Sequence, residues 1–206
     1  MRVVVTRPPD QGEPLVQRLE QQGHEVIVCP LIELEPVGPD QVDLSGYDWL
    51  VVTSANAARE LGHRATGKAA RVAAIGPGTA AALSEPPDLV PAVSTQEGLL
   101  AELPRPAGKV LFAGAEGARK LLIEELDADF VPLYRTKELV PDEFPEADLV
   151  VLASPSAARA FAATGRRLPA VSIGPETTAA AERAGVEILR EARTHDLEGL
   201  VNAVTG

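Results

Sequence analysis

The chain carries an internal duplication. The segments Val72–Ala80 and Ala170–Thr178 both run from an apolar strand through a Gly-Pro turn into the start of a helix. Each follows a second matched pair, Asp48–Arg59 and Asp148–Arg159, which begins with aspartate, continues through an apolar strand to a serine, and ends in Ala-Ala-Arg. Repeats of this length indicate two similar α/β lobes, which we expect to face each other across a cleft.

The composition is that of a globular protein, whose length allows one large domain or two small ones; the duplication favours two. Of the 206 residues, 45% are apolar but only 3% are aromatic, so Val, Leu, Ile and Ala must supply most of the core. The sequence shows no apolar signal region after Met1 and no uninterrupted apolar stretch of the roughly 18 residues that span a bilayer. We therefore expect a cytoplasmic protein without membrane contact.

Charge and cysteine content restrict the partners. A formal net charge of -11 argues against nucleic acids and anionic membranes, because these partners require a basic face. Cys29 is the only cysteine, which excludes an internal disulfide and a cysteine metal cluster. The histidines His24, His63 and His195 are scattered along the chain. We expect no metal, and a monomer.

Apolar runs alternate with segments rich in Ala, Leu, Glu and Arg, which predicts parallel strands alternating with helices. The predicted strands are Arg2–Val5, Glu25–Cys29, Trp49–Val52, Arg71–Ile75, Leu89–Val90, Lys109–Phe112, Phe130–Val131, Leu149–Leu152, Ala170–Ile173 and Glu187–Leu189.

The order of the repeats predicts interleaved lobes. The opening segment from Val3 to Pro30 resembles the segment from Val110 to Pro132. Short and long repeat units therefore alternate along the chain, in the order short, long, short, long. A five-stranded lobe needs one of each, which predicts lobe 1 from residues 1–33 and 138–206 and lobe 2 from residues 37–132. A tandem arrangement divided near Pro104–Pro106 is the alternative, but it would separate Val110–Phe112 from the sheet that it best completes.

Two segments then cross between the predicted lobes, at about residues 31–37 and 133–140. Both alternate polar with apolar or β-prone residues. Because the crossings run in opposite directions, we expect them to pair as a two-stranded antiparallel ribbon that acts as a hinge.

Seven segments in this order and spacing resemble the uroporphyrinogen-III synthase family over nearly the whole chain. They are Val5–Pro8, Asp48 with Thr53–Asn56, Ile75–Ala80, Ser94–Leu99, Tyr134–Thr136, Ser154–Ser156 and Ile173–Thr177. The resemblance implies an α/β fold of two flavodoxin-like lobes, each a doubly wound parallel sheet, joined by a two-stranded ribbon.

The same resemblance implies an activity without a cofactor. The substrate would be hydroxymethylbilane, a linear tetrapyrrole with eight carboxylates and a hydroxymethyl leaving group. Loss of water would give an azafulvene, and a spiro intermediate would then reclose with ring D inverted to give uroporphyrinogen III. Because the free substrate also closes without inversion, the enzyme would chiefly control conformation. Such a lyase would serve tetrapyrrole biosynthesis.

Polar residues at turns and helix starts are the candidate substrate contacts. In doubly wound sheets these turns meet at the carboxyl ends of the strands, where first-turn amides can bind anions. The candidates are Thr6, Arg7, Thr53, Ser54, Asn56, Gly76, Thr79, Ser94, Thr95, Ser154, Ser156, Gly174 and Thr177. The hydroxyl residues are equally suited to plain N-capping, and Arg7 to a surface salt bridge.

Tyr134 is the candidate catalytic residue, assisting departure of the substrate hydroxyl. The alternative is a tyrosine that only packs against the ribbon, since a phenol suits a half-buried strand. We expect Tyr134→Phe to slow turnover severalfold or more while preserving the fold.

Rival functions have weaker support. Gly62–Lys68 fits the first part of a P-loop, but Ala69 stands where Ser or Thr is required. Gly76–Ala81 matches a loose dinucleotide fingerprint, but its partner copy has Glu176 at the second glycine. A two-lobe sensor that closes on a small anion without chemistry remains the principal alternative function.

Overall fold

A computed structural model describes the backbone of residues 1–206 and every side chain except that of Asp10. The strands are β1 Arg2–Val5, β2 Glu25–Val28, β3 Ile32–Pro36, β4 Val42–Asp43, β5 Trp49–Val52, β6 Ala65–Thr66, β7 Arg71–Ala74, β8 Val110–Ala115, β9 Asp129–Glu138, β10 Leu149–Leu152, β11 Ala170–Ser172 and β12 Ile188–Glu191. The helices are α1 Pro9–Gln21, α2 Ala55–Arg64, α3 Pro77–Ala80, α4 Gln96–Glu102, α5 Leu121–Leu126, α6 Pro155–Ala163, α7 Pro175–Arg183 and α8 Leu197–Thr205.

The chain divides into two compact units. Unit 1 consists of Met1–Leu34 and Thr136–Gly206, and unit 2 of Glu35–Arg135. One five-stranded sheet, in the order β12-β11-β10-β1-β2, lies in unit 1. The other has the order β3-β9-β8-β5-β7, and its strands β3 and β9 run through the boundary between the units. The first two strands of the chain therefore share a sheet with the last three.

The sheet of unit 1 is covered on both faces. Its neighbouring strands are parallel, and the central strands β1 and β10 pair Val3 with Leu149 and Val5 with Val151. Because successive residues of a strand point to opposite faces, Val4 packs with α6 and α7, whereas Val3 and Val5 pack with α1 and α8. Burial on both faces explains why β1 and β10 are continuous apolar runs.

Unit 2 has a similar parallel sheet around β5. Strand β5 pairs in parallel with β7 on one side and with β8 on the other. One face of these strands packs Trp49 and Phe112 against Leu99 of α4 and Leu122 of α5. The prediction of an α/β fold with parallel sheets is confirmed.

The aspartates that open the two long repeats have the same structural role. A side-chain oxygen of Asp48 accepts the backbone N–H of Lys109 at 2.7 Å, and one of Asp148 accepts that of Arg2 at 2.7 Å. Each carboxylate thereby satisfies an amide at the start of a neighbouring strand. Both aspartates therefore have a structural role: each links the amino ends of two neighbouring strands.

Strands β3 and β9 are hydrogen-bonded neighbours. In unit 1 the amide of Leu139 donates to the carbonyl of Leu31, and in unit 2 the amide of Val37 donates to that of Leu133. The two residue numbers add to the same value in each pair, which is the signature of antiparallel strands.

The main differences from the sequence-based expectation concern four strands. Strand β9 is continuous, where the sequence predicted the short strand Phe130–Val131 followed by a separate crossing segment. Leu89 forms only an isolated bridge with Ala73, because the prolines Pro87 and Pro91 beside it lack amide donors. The two-residue strands β4 and β6 are too short for any periodicity to reveal. No helix in the described residues is long and apolar enough to cross a membrane.

Candidate functional site

The predicted contacts of unit 2 follow the carboxyl ends of neighbouring strands. Thr53 and Ser54 come directly after β5, and Gly76 follows β7. The parallel register places Val52, Ala74 and Ala113 side by side, so these turns share one edge of the sheet. A Cβ built on Gly114 of β8 would lie 3.5 Å from Oγ1 of Thr53, which brings β8 to the same edge.

Ser54 connects this edge to the candidate catalytic residue. It is the N-cap of α2, and its Oγ accepts the amide of Ala57 at 3.1 Å. The hydroxyl of Tyr134, on β9, donates to the same Oγ at 3.0 Å. Tyr134 is only 8% exposed, whereas Ser54 is partly exposed. The structure thus joins two predicted site residues directly.

Unit 1 has a matching edge. Ser154 is the N-cap of α6, and its Oγ accepts the amide of Ala157 at 3.1 Å. Two positions further on, Oγ of Ser156 accepts Arg159, as Oδ1 of Asn56 accepts Arg59 in unit 2. The matched Ala-Ala-Arg segments thus place an arginine on the second turn of each helix, with its guanidinium bonded to the first turn.

Several predicted contacts lie inside the units. Thr6 is fully buried, and its Oγ1 donates to the carbonyl of Val151 at 2.8 Å. Thr79 and Thr177, after the two Gly-Pro turns, are also buried. None of these three threonines caps a helix, since the N-cap positions before α1, α3 and α7 are Pro8, Gly76 and Gly174. Their substrate contact remains a prediction.

The remaining predicted residues lie on turns. Arg7 is partly exposed after β1, and its Cβ lies 3.7 Å from a Cβ built on Gly12 of α1. Thr95 is the N-cap of α4, and its Oγ1 accepts the amide of Gly98 at 3.0 Å.

A polar side chain lies against each Gly-Pro turn. One of the two, His195, was not among the predicted site residues. A Cβ built on Gly76 would lie 2.6 Å from Oγ of Ser94, and one built on Gly174 would lie 2.9 Å from Cδ2 of His195. Ser94 and His195 therefore occupy equivalent places, each one residue before the N-cap of the next helix. The recurrence of Glu-Gly-Leu at 97–99 and 198–200 could have revealed His195.

That Glu-Gly-Leu motif has a structural explanation in both units. Glu97 pairs with Arg119, whose hydrogen bond lowers the pKa of this carboxyl, and Glu198 pairs with Arg18 at 2.7 Å. The leucines of both copies, Leu99 and Leu200, are fully buried. The motif therefore anchors α4 and α8 and positions the turns before them.

Asp196, the N-cap of α8, has a pKa below its usual value because Oδ1 accepts the amide of Gly199 at 2.8 Å and the hydroxyl of Thr194. A carboxyl with a lowered folded-state pKa stabilises the fold above its unfolded-state pKa, and this contribution is lost as the pH falls through the folded-state pKa. Asp196→Asn should therefore lower Tm at neutral pH, and the difference from wild type should shrink below about pH 4. Ser154→Asn, at the neutral cap of α6, should shift Tm by an amount independent of pH. A constant difference between wild type and Asp196→Asn would contradict the assignment.

No group of three or more His, Cys, Asp or Glu in the described part of the chain is arranged to hold a metal ion. The edges offer hydroxyls, first-turn amides, arginines and one imidazole. Such groups bind and orient carboxylates, and hydroxyls can also move protons.

Comparison with known proteins identifies the family. The family model described as uroporphyrinogen-III synthase HemD matches residues 13–202. The chain belongs to the uroporphyrinogen-III synthase family.

Individual relatives agree with this assignment. A uroporphyrinogen-III synthase from Synechococcus elongatus is 25% identical over 98% of this chain and 93% of its own length. Proteins from Methanocaldococcus jannaschii and Archaeoglobus fulgidus, both provisionally named uroporphyrinogen-III synthase, are 29% and 32% identical. The alignments cover 67% and 69% of this chain but only 63% and 64% of those two proteins.

A solved structure shares the fold. A crystal structure of a mutant uroporphyrinogen III synthase from Thermus thermophilus superposes with a TM-score of 0.66 at 19% sequence identity. The match covers 100% of this chain and 97% of that one.

Proposed function

We propose that this chain is a uroporphyrinogen-III synthase, a cofactor-free lyase that closes hydroxymethylbilane to uroporphyrinogen III with inversion of ring D through a spiro intermediate. The observation that carries the proposal is the family match over residues 13–202. The protein would act in the cytoplasm, as a monomer, in tetrapyrrole biosynthesis.

We also propose that units 1 and 2 are the two flavodoxin-like lobes of this family, joined by β3 and β9 as an antiparallel ribbon. Two observations support this proposal. The sheet orders β12-β11-β10-β1-β2 and β9-β8-β5-β7 each place an opening repeat beside a long repeat. The sheet of unit 1 also carries helices on both faces, as a doubly wound sheet requires.

The turns of each unit would bind substrate carboxylates. The protein has a formal net charge of -11, so an extended basic surface does not explain binding of a polycarboxylate. First-turn amides of α2, α6 and α7 would bind without such a surface, each contributing about 0.3–1 kcal/mol at a partly exposed site. Arg59 lies on the second turn of α2, reaches back to the first turn, and would supply local positive charge there. Arg159 lies at the equivalent place on α6 but is paired with Glu138. His195, covering Gly174, joins the candidate contacts.

The proposal predicts a specific product. Anaerobic incubation of the protein with hydroxymethylbilane, followed by oxidation and chromatographic separation of the uroporphyrin isomers, should give predominantly type III. A heat-denatured sample is the control and should give the type I isomer of spontaneous closure. Type I alone from the native protein would contradict the proposal and favour a sensor that binds without chemistry.

A further inference from the structure

The hydrogen bonds of Ser54 and Tyr134 define which of the two hydroxyls can act outward. Both residues belong to unit 2, so their geometry depends on this unit alone. Oγ of Ser54 accepts the amide of Ala57 at 3.1 Å and the hydroxyl of Tyr134 at 3.0 Å.

A serine hydroxyl has two acceptor lone pairs and one proton. The amide of Ala57 and the phenol of Tyr134 occupy both lone pairs of Ser54, so its remaining capacity is to donate its own proton. The phenol of Tyr134 already donates to Ser54. The outermost available donor of this pair is therefore the serine.

The exposure of the two residues agrees with the serine being the outer donor. Tyr134 is 8% exposed, whereas Ser54 is partly exposed at the carboxyl end of β5. A substrate that reaches this edge meets the serine before the phenol. Because Ser54 is fixed by a backbone amide as well as by Tyr134, its proton has a defined direction.

The duplicated copy shows that the arrangement is specific to unit 2. Ser154 accepts the amide of Ala157 at 3.1 Å, as Ser54 accepts that of Ala57. The sequence Pro30-Leu31-Ile32 corresponds to Pro132-Leu133-Tyr134, and both leucines are fully buried. Isoleucine therefore stands where unit 2 has the tyrosine.

From this geometry we infer that Ser54 is the catalytic residue that protonates the departing hydroxyl, and that Tyr134 is a positioning residue that supplies the proton to Ser54. The inference rests on the proposed function. It differs from the sequence-based expectation, in which Tyr134 is the catalytic residue that assists departure of the hydroxyl.

The proposed step removes the substrate hydroxyl as water. The C–O bond of the hydroxymethyl group breaks, and its electron pair leaves with the oxygen, which takes the proton of Ser54. The oxygen of Ser54 takes the phenolic proton of Tyr134, so that water, the azafulvene cation and a tyrosinate result. Ring closure releases one proton from a pyrrole carbon, and this proton restores Tyr134. One water is lost overall.

Four variants test the order of the two residues by single-turnover formation of the type III isomer. Ser54→Ala should lower the rate about 100-fold, the lower end of what a positioned proton donor contributes. Tyr134→Phe should lower the single-turnover rate severalfold, because Ser54 can still donate, and should leave the steady-state KM unchanged. Ser54→Thr should retain most of the rate, and the double variant should be no slower than Ser54→Ala.

The number of protons in motion provides a second readout. In mixtures of H2O and D2O, the wild-type rate should depend on the deuterium fraction along a curve, as expected for two protons moving together. In Tyr134→Phe the dependence should become linear. A merely structural tyrosine would leave the shape of this dependence unchanged, which would contradict its role as proton source.

Ser54→Ala also removes the N-cap of α2, and a variant at the matching cap of α6 serves as the control for this loss. Ser154→Ala removes an equivalent cap at the same distance, so its Tm should fall by about as much as that of Ser54→Ala. Should Ser54→Ala fail to fold, Ser54→Gly removes the hydroxyl while keeping most of the capping preference.

The outcomes separate this inference from the proposed function. A Ser54→Ala or Ser54→Gly variant within twofold of wild type, or a Tyr134→Phe variant slower than Ser54→Ala, would overturn the assignment while leaving the synthase activity intact. A wild-type protein that yields type I alone would overturn both.

Discussion

Replacing Gly199 by alanine is expected to lower the free energy of unfolding of unit 1 by about 3 kcal/mol, the upper end of the usual cost of overpacking. A Cβ at this position would lie 1.9 Å from the carbonyl oxygen of Thr194. The obstacle is backbone rather than a flexible side chain, so the turn before α8 must move. Because this turn also carries His195 and the cap Asp196, the helix start would be lost together with the contacts around it.

The equivalent substitution in unit 2 should behave in the same way, since a Cβ on Gly98 would lie 2.0 Å from the carbonyl oxygen of Val93. Urea denaturation followed by circular dichroism measures both effects. Gly62→Ala is the matched control: Gly62 lies within α2 with nothing within 4 Å of a new Cβ, so alanine should stabilise by up to about 1 kcal/mol. A Gly199→Ala protein as stable as wild type would show that the close approach is not part of the fold.

Truncation of Phe161 to alanine should have the largest effect on stability, a loss of about 3–5 kcal/mol. Phe161 on α6 is fully buried, and its ring centroid lies 5.3 Å from that of Phe144. Most other side chains of this core are Val, Leu and Ala, which are too small to refill the space of a phenyl ring.

The same urea measurement tests this loss. Leu189→Ala is the control, because Leu189 is 51% exposed on β12 and its truncation should change the stability by less than about 0.5 kcal/mol. Amide exchange should locate the loss of Phe161→Ala in the protection of β10 and β11, whose residues belong to the same core. Unchanged protection of these strands would contradict the description of the core.

The parallel α/β fold could be predicted because fully buried strands leave an unmistakable apolar run. Trp49–Val52 and Leu149–Leu152 have the same bounds in the sequence-based prediction and in the structure. The apolar pattern does not predict a strand correctly where prolines limit its pairing or where the strand is very short. Leu89–Val90 lies between prolines and forms one bridge, and β4 and β6 have two residues each.

The candidate site was predictable in position but not in detail. The positions of Ser54 and Ser154 could be predicted because the carboxyl ends of parallel strands lie at one edge of a sheet. The burial of Thr6 could not, because it depends on a hydrogen bond to Val151, which is far away in the sequence. His195 escaped notice because its counterpart, Ser94, is a different residue type. The direction of the bond between Tyr134 and Ser54 depends on a contact between residues distant in sequence, which no local pattern encodes.

The most direct test of the account is the isomer formed from hydroxymethylbilane carrying 13C at its hydroxymethyl carbon. If the protein inverts ring D, the labelled bridge carbon becomes bonded to the ring carbon that originally carried the bridge between rings C and D. The 13C spectrum is then that of type III, and formation of the labelled type III isomer should be faster than spontaneous closure. A labelled product that is only type I, formed at the spontaneous rate, would contradict the account.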